Sequence, residues 1–158
     1  MSTLPTMKFD NETIHFTGWH IHAPADHSVG GYRSKAELHY VFKDDANKYR
    51  AVLAMRLDPG RDDSTFFAQL PAPLSFNDTS MMEEVAIDHS LALDEVYMFN
   101  EFWTYRGSLT SPPCTEGVRF FVARAILFTS VKQMQDILRV STYSARAEQQ
   151  VWLHAINV

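Results

Sequence analysis

Apolar and polar residues alternate with a period of two along much of the chain. From Ile14 to His22 the order Ile, His, Phe, Thr, Gly, Trp, His, Ile, His predicts a strand over 13–22. A turn at Gly30-Gly31 follows. Residues 34–42 read as a second strand, 43–48 as a hairpin turn, and Tyr49 to Leu57 as a third strand ended by Asp58-Pro59-Gly60. Residues 62–68 predict a short helix leading into a loop at Pro71 and Pro73. Residues 85–90 and 96–105 read as further strands. The run Gly117 to Phe128 reads as one long, covered, central strand with Val118, Phe120 and Val122 on one face. The period changes only near the C-terminus. There Val131, Met134, Ile137 and Leu138 recur at helical spacing behind the capping-box order Ser130-Val131-Lys132-Gln133, which predicts a helix over 131–139. Residues 140–158 show no period. The whole predicts a single domain over 1–158, mainly β with a few short helices, with no repeat, linker or low-complexity stretch.

Composition narrows the function classes. Apolar residues make up 46% of the 158, enough for a real core. The formal net charge is −5 and no cluster of five or more basic residues occurs, which argues against a nucleic-acid surface. No apolar run approaches the roughly 18 residues of a membrane span. The N-terminal residues lack the charged-then-apolar order of a signal segment, so the chain as given reads as cytoplasmic. Two glycosylation acceptor triplets, Asn11-Glu12-Thr13 and Asn77-Asp78-Thr79, point the other way. The single Cys114 has no partner for an internal disulfide and reads as a small buried hydrophobe.

The candidate chemistry sits in two of the predicted strands. Alternate strand residues share a face, so His20 and His22 stand on one side about 6.7 Å apart. Glu37, His39 and Val41 share a face in the second strand by the same rule. If the strands lie side by side, three imidazoles converge beside a carboxylate. That is the donor set of a catalytic zinc site: three neutral nitrogens, an open fourth position, and an acid that orients one ligand. A cupin barrel also places His-x-His on a strand, with Asp26 imitating its carboxylate and His89 or His154 its later ligand. Neither histidine stands in a Pro-x-Gly-x-x-His context.

A second segment separates these readings. Phe102-Trp103-Thr104-Tyr105-Arg106-Gly107-Ser108-Leu109-Thr110-Ser111-Pro112-Pro113-Cys114-Thr115-Glu116-Gly117-Val118 closely resembles the signature of the alpha-class carbonic anhydrases. Trp19 to Val41 resembles their zinc-binding strands, and Ser144 to Gln149 is a looser match to their Arg-Pro-x-Gln region. The resemblance implies a fold built around a large twisted, mostly antiparallel central sheet. It implies reversible hydration of carbon dioxide to bicarbonate and a proton, through zinc-bound hydroxide, with sulfonamides as expected inhibitors. His20, His22 and His39 would be the zinc ligands. Glu37 would accept the free ring N–H of His39 and fix its tautomer. Thr110 would be the gatekeeper whose hydroxyl orients the attacking group. Val41, Val52 and Leu109 would line the apolar wall for carbon dioxide, with Thr110 and Ser111 beside bicarbonate. His27 reads as structural, and Trp103 and Tyr105 as packing residues.

The chain departs from the family pattern in three places. Asp26 stands where the family usually has the Glu that accepts the gatekeeper's proton. Being one methylene shorter, it needs a backbone shift or an intervening water to do so. Gly18 stands where a Gln often supports the first ligand. The resemblance also implies that the sequence as given begins past the N-terminal part of the family's domain, with the region of the proton-shuttle His and of the Cys that pairs with the equivalent of Cys114 in secreted members. This predicts uncovered sheet edge and self-association through that side. The alternative function is a catalytically weak or inactive carbonic-anhydrase-like zinc-binding domain, or a truncated product.

Overall fold

The structure is a computed structural model that describes residues 5–71, 85–141, 143–150 and 156–157. The triplet at Asn77, Pro73 and His154 lie outside the described residues. The chain forms β1 (Thr6–Phe9), β2 (Glu12–His22), β3 (Ser28–Val29), β4 (Tyr32–Arg33), β5 (Ala36–Lys43), β6 (Tyr49–Gly60), α1 (Thr65–Ala68), α2 (Ser90–Glu95), β7 (Phe102–Ser108), β8 (Glu116–Ala123), β9 (Leu127–Ser130) and α3 (Val131–Val140). One large sheet has the order β1-β2-β5-β6-β8-β7, with β9 also paired to β6. Strand β6 runs parallel to β8 and β9, and the remaining ladders are antiparallel. The expected mainly β fold around a mostly antiparallel sheet is what the chain adopts.

The two faces of this sheet are sharply distinguished. Alternate residues Leu38, Tyr40 and Phe42 of β5, and Ala51, Met55 and Leu57 of β6, enter a core covered by Phe66, Phe67, Ala92, Met134 and Ile137 from the three helices. The residues between them point to the other face. There Val52, Ala54, Val118, Phe120 and Val122 form a second apolar cluster, joined by Val41, Trp103, Tyr105 and Leu109.

Strand β2 serves both faces only because its alternation is broken once. Phe16 stands opposite Phe42, but Gly18 is the next residue in register, opposite Val41. Thr17 is the extra residue of a β-bulge, and its hydroxyl donates to the Val41 carbonyl at 3.1 Å. Before the bulge Ile14 and Phe16 enter the helix-covered core. After it Trp19 and Ile21 do so, and Gly18, His20 and His22 take the opposite face. An unbroken strand would place Phe16 and His20 on the same side.

Four local expectations are corrected. Residues 85–90 are not a strand: Asp88 Oδ1 accepts from the N–H of Ser90 at 2.9 Å and its hydroxyl at 2.6 Å, and α2 begins there. The stretch 96–105 is extended only from Phe102, because Tyr97, Met98 and Phe99 take positive φ in a short turn. The run 117–128 is two strands, since the chain leaves the β7–β8 ladder after Ala123 and resumes beside β6 as β9. Asp58-Pro59-Gly60 does not end β6, because these residues pair with Phe128, Thr129 and Ser130 of β9. Strand β1 has no counterpart in the sequence reading. The capping box at α3 is present, with Gln133 N–H donating to Ser130 Oγ and Ser130 N–H to Gln133 Oε1. Gly30 and Gly31, at φ +59° and +80°, turn the small β3–β4 hairpin.

Candidate metal centre

Strands β2 and β5 pair so that His20 lies directly opposite His39, and His22 opposite Glu37. The bulge at Thr17 gives all four the same face. Ring centres lie 4.8 Å apart for His20 and His22, 5.2 Å for His20 and His39, and 4.9 Å for His22 and His39. One ligand atom from each of the three lies within 4.8 Å of the others.

Two of the rings are locked from behind. His39 Nε2 donates to Glu37 Oε1 at 2.7 Å, which leaves Nδ1 as its available nitrogen. His22 Nδ1 donates to the Ser144 carbonyl at 2.9 Å and leaves Nε2 buried with no hydrogen-bond partner. His20 is exposed and makes no hydrogen bond among the described residues. Gly18 offers it none, and a Cβ there would meet nothing within 4 Å.

The electrostatics favour neutral rings. One side of His20 is open to solvent, but desolvation by the groups packed around the rest of the ring, then the neighbouring His39 and His22 rings, push it from 6.5 down to about 4. Burial and His39 also lower His22, against the opposing pull of Asp26. Neutral imidazole is the ligating form, and an orphaned buried nitrogen among three converging rings fits a zinc ion bound by nitrogen donors.

Glu37 is the hub behind the rings and is fully buried. Besides His39, its Oε1 accepts from His27 Nδ1 at 2.5 Å, and its Oε2 from the His27 backbone N–H at 2.9 Å. His27 Nε2 pairs with the Tyr105 hydroxyl at 2.6 Å. Burial alone would raise the Glu37 carboxyl. The charge of His27 and the bonds from both imidazoles outweigh that and hold it well below the usual carboxylate range. Burial opposes a charge on His27 too, but Glu37 raises its ring above the ordinary imidazole value. His27 and Tyr105 are thus parts of the centre that sequence reasoning assigned to structure and packing. Their signal was present as same-face spacing: Tyr105 stands opposite Phe120, whose ring it stacks upon at 5.2 Å.

The other expected residues gather around this cluster. Val41 and Val52 face each other across β5 and β6, and with Leu109 they join the apolar strip beside the imidazoles. Thr110 and Asp26 line one small cavity of about 170 Å³, together with Tyr105, Ser108 and Arg146. Asp26 is buried, and its Oδ1 accepts from the Arg146 backbone N–H at 2.8 Å. Its Oδ2 has no hydrogen-bond partner and lies 3.5 Å from His22 Nε2. Thr110 makes no direct hydrogen bond to it among the described residues. Ser111 lies in the turn that follows, where its carbonyl accepts from Cys114 N–H. Cys114 is a free thiol, half-buried.

A strap from the C-terminal residues closes the back of the centre. Ser144 Oγ accepts from Ala23 N–H at 3.2 Å, and Arg146 reaches Ser108 Oγ at 2.9 Å. Arg33 holds the strap by donating to the carbonyls of Ala25 and Arg146. Ser144 acts through its carbonyl, which no side-chain pattern announces. A larger cavity, about 830 Å³, lies on the opposite face against α3 and touches none of these residues.

Comparison with known proteins agrees with this geometry. The chain is 32% identical over 139 residues to alpha carbonic anhydrase 8 of Arabidopsis thaliana, covering 87% of this chain and 35% of that protein. It superposes on the alpha-carbonic anhydrase of Photobacterium profundum with a TM-score of 0.83 at 28% identity, over 98% of this chain and 70% of that one. For the alpha-carbonic anhydrase of Thermovibrio ammonificans, solved with the inhibitor sulfanilamide, the TM-score is 0.77 at 25% identity, over 93% and 64% of the two chains. The chain therefore spans about a third of its plant relative and about two-thirds of the solved enzymes. The profile of the family described as eukaryotic-type carbonic anhydrase matches residues 1–155, and the chain belongs to that family.

Proposed function

We propose that His20, His22 and His39 hold one zinc ion and that the site carries out reversible hydration of carbon dioxide to bicarbonate and a proton. The observation that carries this reading is the convergence of three imidazoles whose ring orientations are fixed by Glu37 and the Ser144 carbonyl. When bound, zinc supplies a Lewis acid able to make water a nucleophile at neutral pH; carbonic anhydrase is itself the standard illustration of this effect.

The chain's own residues do the rest. Glu37 keeps the Nε2 proton on His39 and so presents Nδ1. The apolar strip of Val41, Val52 and Leu109 gives a nonpolar gas a dry surface beside the imidazoles. Thr110 orients the attacking group and, with Ser111, contacts bicarbonate. Asp26, which lines the same small cavity as Thr110 without a direct hydrogen bond to it, accepts from Thr110 through a bridging water.

Metal analysis should find about one zinc per chain. Stopped-flow carbon dioxide hydration should be blocked by a sulfonamide, as the Thermovibrio ammonificans complex suggests. Absence of zinc would sink the reading. Zinc without hydration would establish the alternative, a zinc-holding domain of weak or no activity, which the missing direct bond between Thr110 and Asp26 favours. Self-association belongs to the same proposal: β1 ends the sheet as an edge strand. A stable monomer in light scattering would remove it.

A further inference from the structure

Strand β6 carries a charge that the proposed chemistry does not use. Arg56 is 4% exposed and stands directly opposite Glu37 in the β5–β6 ladder, on the face of the metal centre. Its Nη2 donates to the Arg124 carbonyl at 3.0 Å, and its guanidinium lies 5.4 Å from the Trp103 ring centre. Its Nε has no hydrogen-bond partner. Burying a guanidinium is costly, and breaking the balance of buried charges is costlier still. Two carboxylates face it, Glu37 across the ladder and Asp58 two residues along. Asp58 already accepts from Lys35 N–H at 3.1 Å, with Tyr32 beside it. Burial lowers the guanidinium's proton affinity, while Glu37 and Asp58 act against that.

We infer that Arg56 is a positioning residue for the metal centre: its buried charge balances the Glu37 carboxylate and so sustains the bond that fixes the His39 ring. Its neighbours on the ladder make this specific. Val52 and Ala54 precede it on the same face as apolar residues, and the cation appears at the register position facing the buried acid. Cross-strand partners on one face lie about 4.5–5.5 Å apart at Cβ, close enough for the charges to interact in a site closed to water. Arg56 touches neither carbon dioxide nor metal; it acts through Glu37. The inference rests on the zinc reading above.

The test is zinc affinity by chelator competition in the purified chain. Arg56→Gln keeps a donor for the Arg124 carbonyl and removes the charge. It should bind zinc about tenfold more weakly, and Arg56→Lys should recover most of the loss. In a Glu37→Gln background, Arg56→Gln should cost nothing further, because the charge it balances is gone. Wild-type affinity in folded Arg56→Gln, or an equal loss in both backgrounds, overturns the inference. If Arg56→Gln does not fold, recovery of folding in the Glu37→Gln/Arg56→Gln double variant supports charge balance, and an unfolded double variant overturns it. If the wild-type chain takes up no zinc, the zinc reading fails by itself. Nitrogen spectra of the metal-free His39 ring then decide: a proton fixed at Nε2 in the wild type but not in Arg56→Gln supports the role, and identical rings refute it.

Discussion

Leu38 and His39 are chain neighbours on β5, yet they live in different environments. Leu38, with Tyr40, Leu57 and Phe66, sits in a core of interlocking apolar side chains covered by helices. His39, with Glu37, His22 and His27, sits among buried groups whose hydrogen bonds are nearly all prescribed. One face can exchange residues of similar volume and lose little. On the other, a change of one atom leaves a buried polar group unsatisfied. The same strands thus carry stability on one side and chemistry on the other, and substitutions should separate the two.

The largest separation is expected for His39→Ala. Bound zinc should fall from about one per chain to none and hydration should vanish, while circular dichroism stays near the wild type. Zinc retained in this variant would erase the ligand assignment. The converse substitution, Phe66→Ala on the helix-covered face, should cost about 3–5 kcal/mol in denaturant unfolding. Its folded fraction should bind zinc with unchanged affinity, and a matching loss would mean that the two faces are not independent. Thr110→Ala should lower the hydration rate by about 10²-fold with zinc still bound, the scale for losing one oriented hydrogen-bonding group. An unchanged rate would refute its role. Gly18→Gln should tighten zinc binding up to about tenfold by giving His20 the partner it lacks. No gain would show that His20 needs none.

The smallest effect concerns acid. In the metal-free protein, His20 is held near 4 and its unfolded value is 6.5, so the unfolded chain binds more protons between those values. Its contribution to stability is complete above about pH 6.5 and lost as pH falls toward about 4. A urea-unfolding series across that window should show a slope that His20→Gln reduces. An identical slope would mean that the ring is not held neutral by its surroundings.

Much of the centre was legible in the chain because strands report on themselves every second residue. His20, His22, Glu37 and His39 follow from that period and from the carbonic-anhydrase-like segments, and the β2–β5 register places them together. Features without a side-chain period were not legible. The bulge depends on a single unpaired Thr17, and the Ser144 contribution is a backbone carbonyl. Residues 85–90 look like a strand until Asp88 caps the turn at Ser90. Asp26 shows the limit of motif transfer: it lines one cavity with Thr110, but Arg146 takes one oxygen and the other, without a hydrogen-bond partner, stands 3.5 Å from His22 Nε2. Arg56 carried no motif, and only its register opposite Glu37 makes it visible.

The bulge has a consequence for inheritance. Loss of the single codon for Thr17 would keep Trp19-His20-Ile21-His22 intact letter for letter. It would also remove the bulge: Phe16 and Gly18 already face consecutive residues of β5, so plain alternation would keep Phe16, Trp19 and Ile21 in the core and both imidazoles on the other face. Replacing Thr17 by another residue would forfeit little beyond one exposed bond to the Val41 carbonyl. At this point of the chain a changed letter and a lost one both keep the faces of β2, and the spare residue makes Thr17 the place in the strand where a one-residue deletion does least harm.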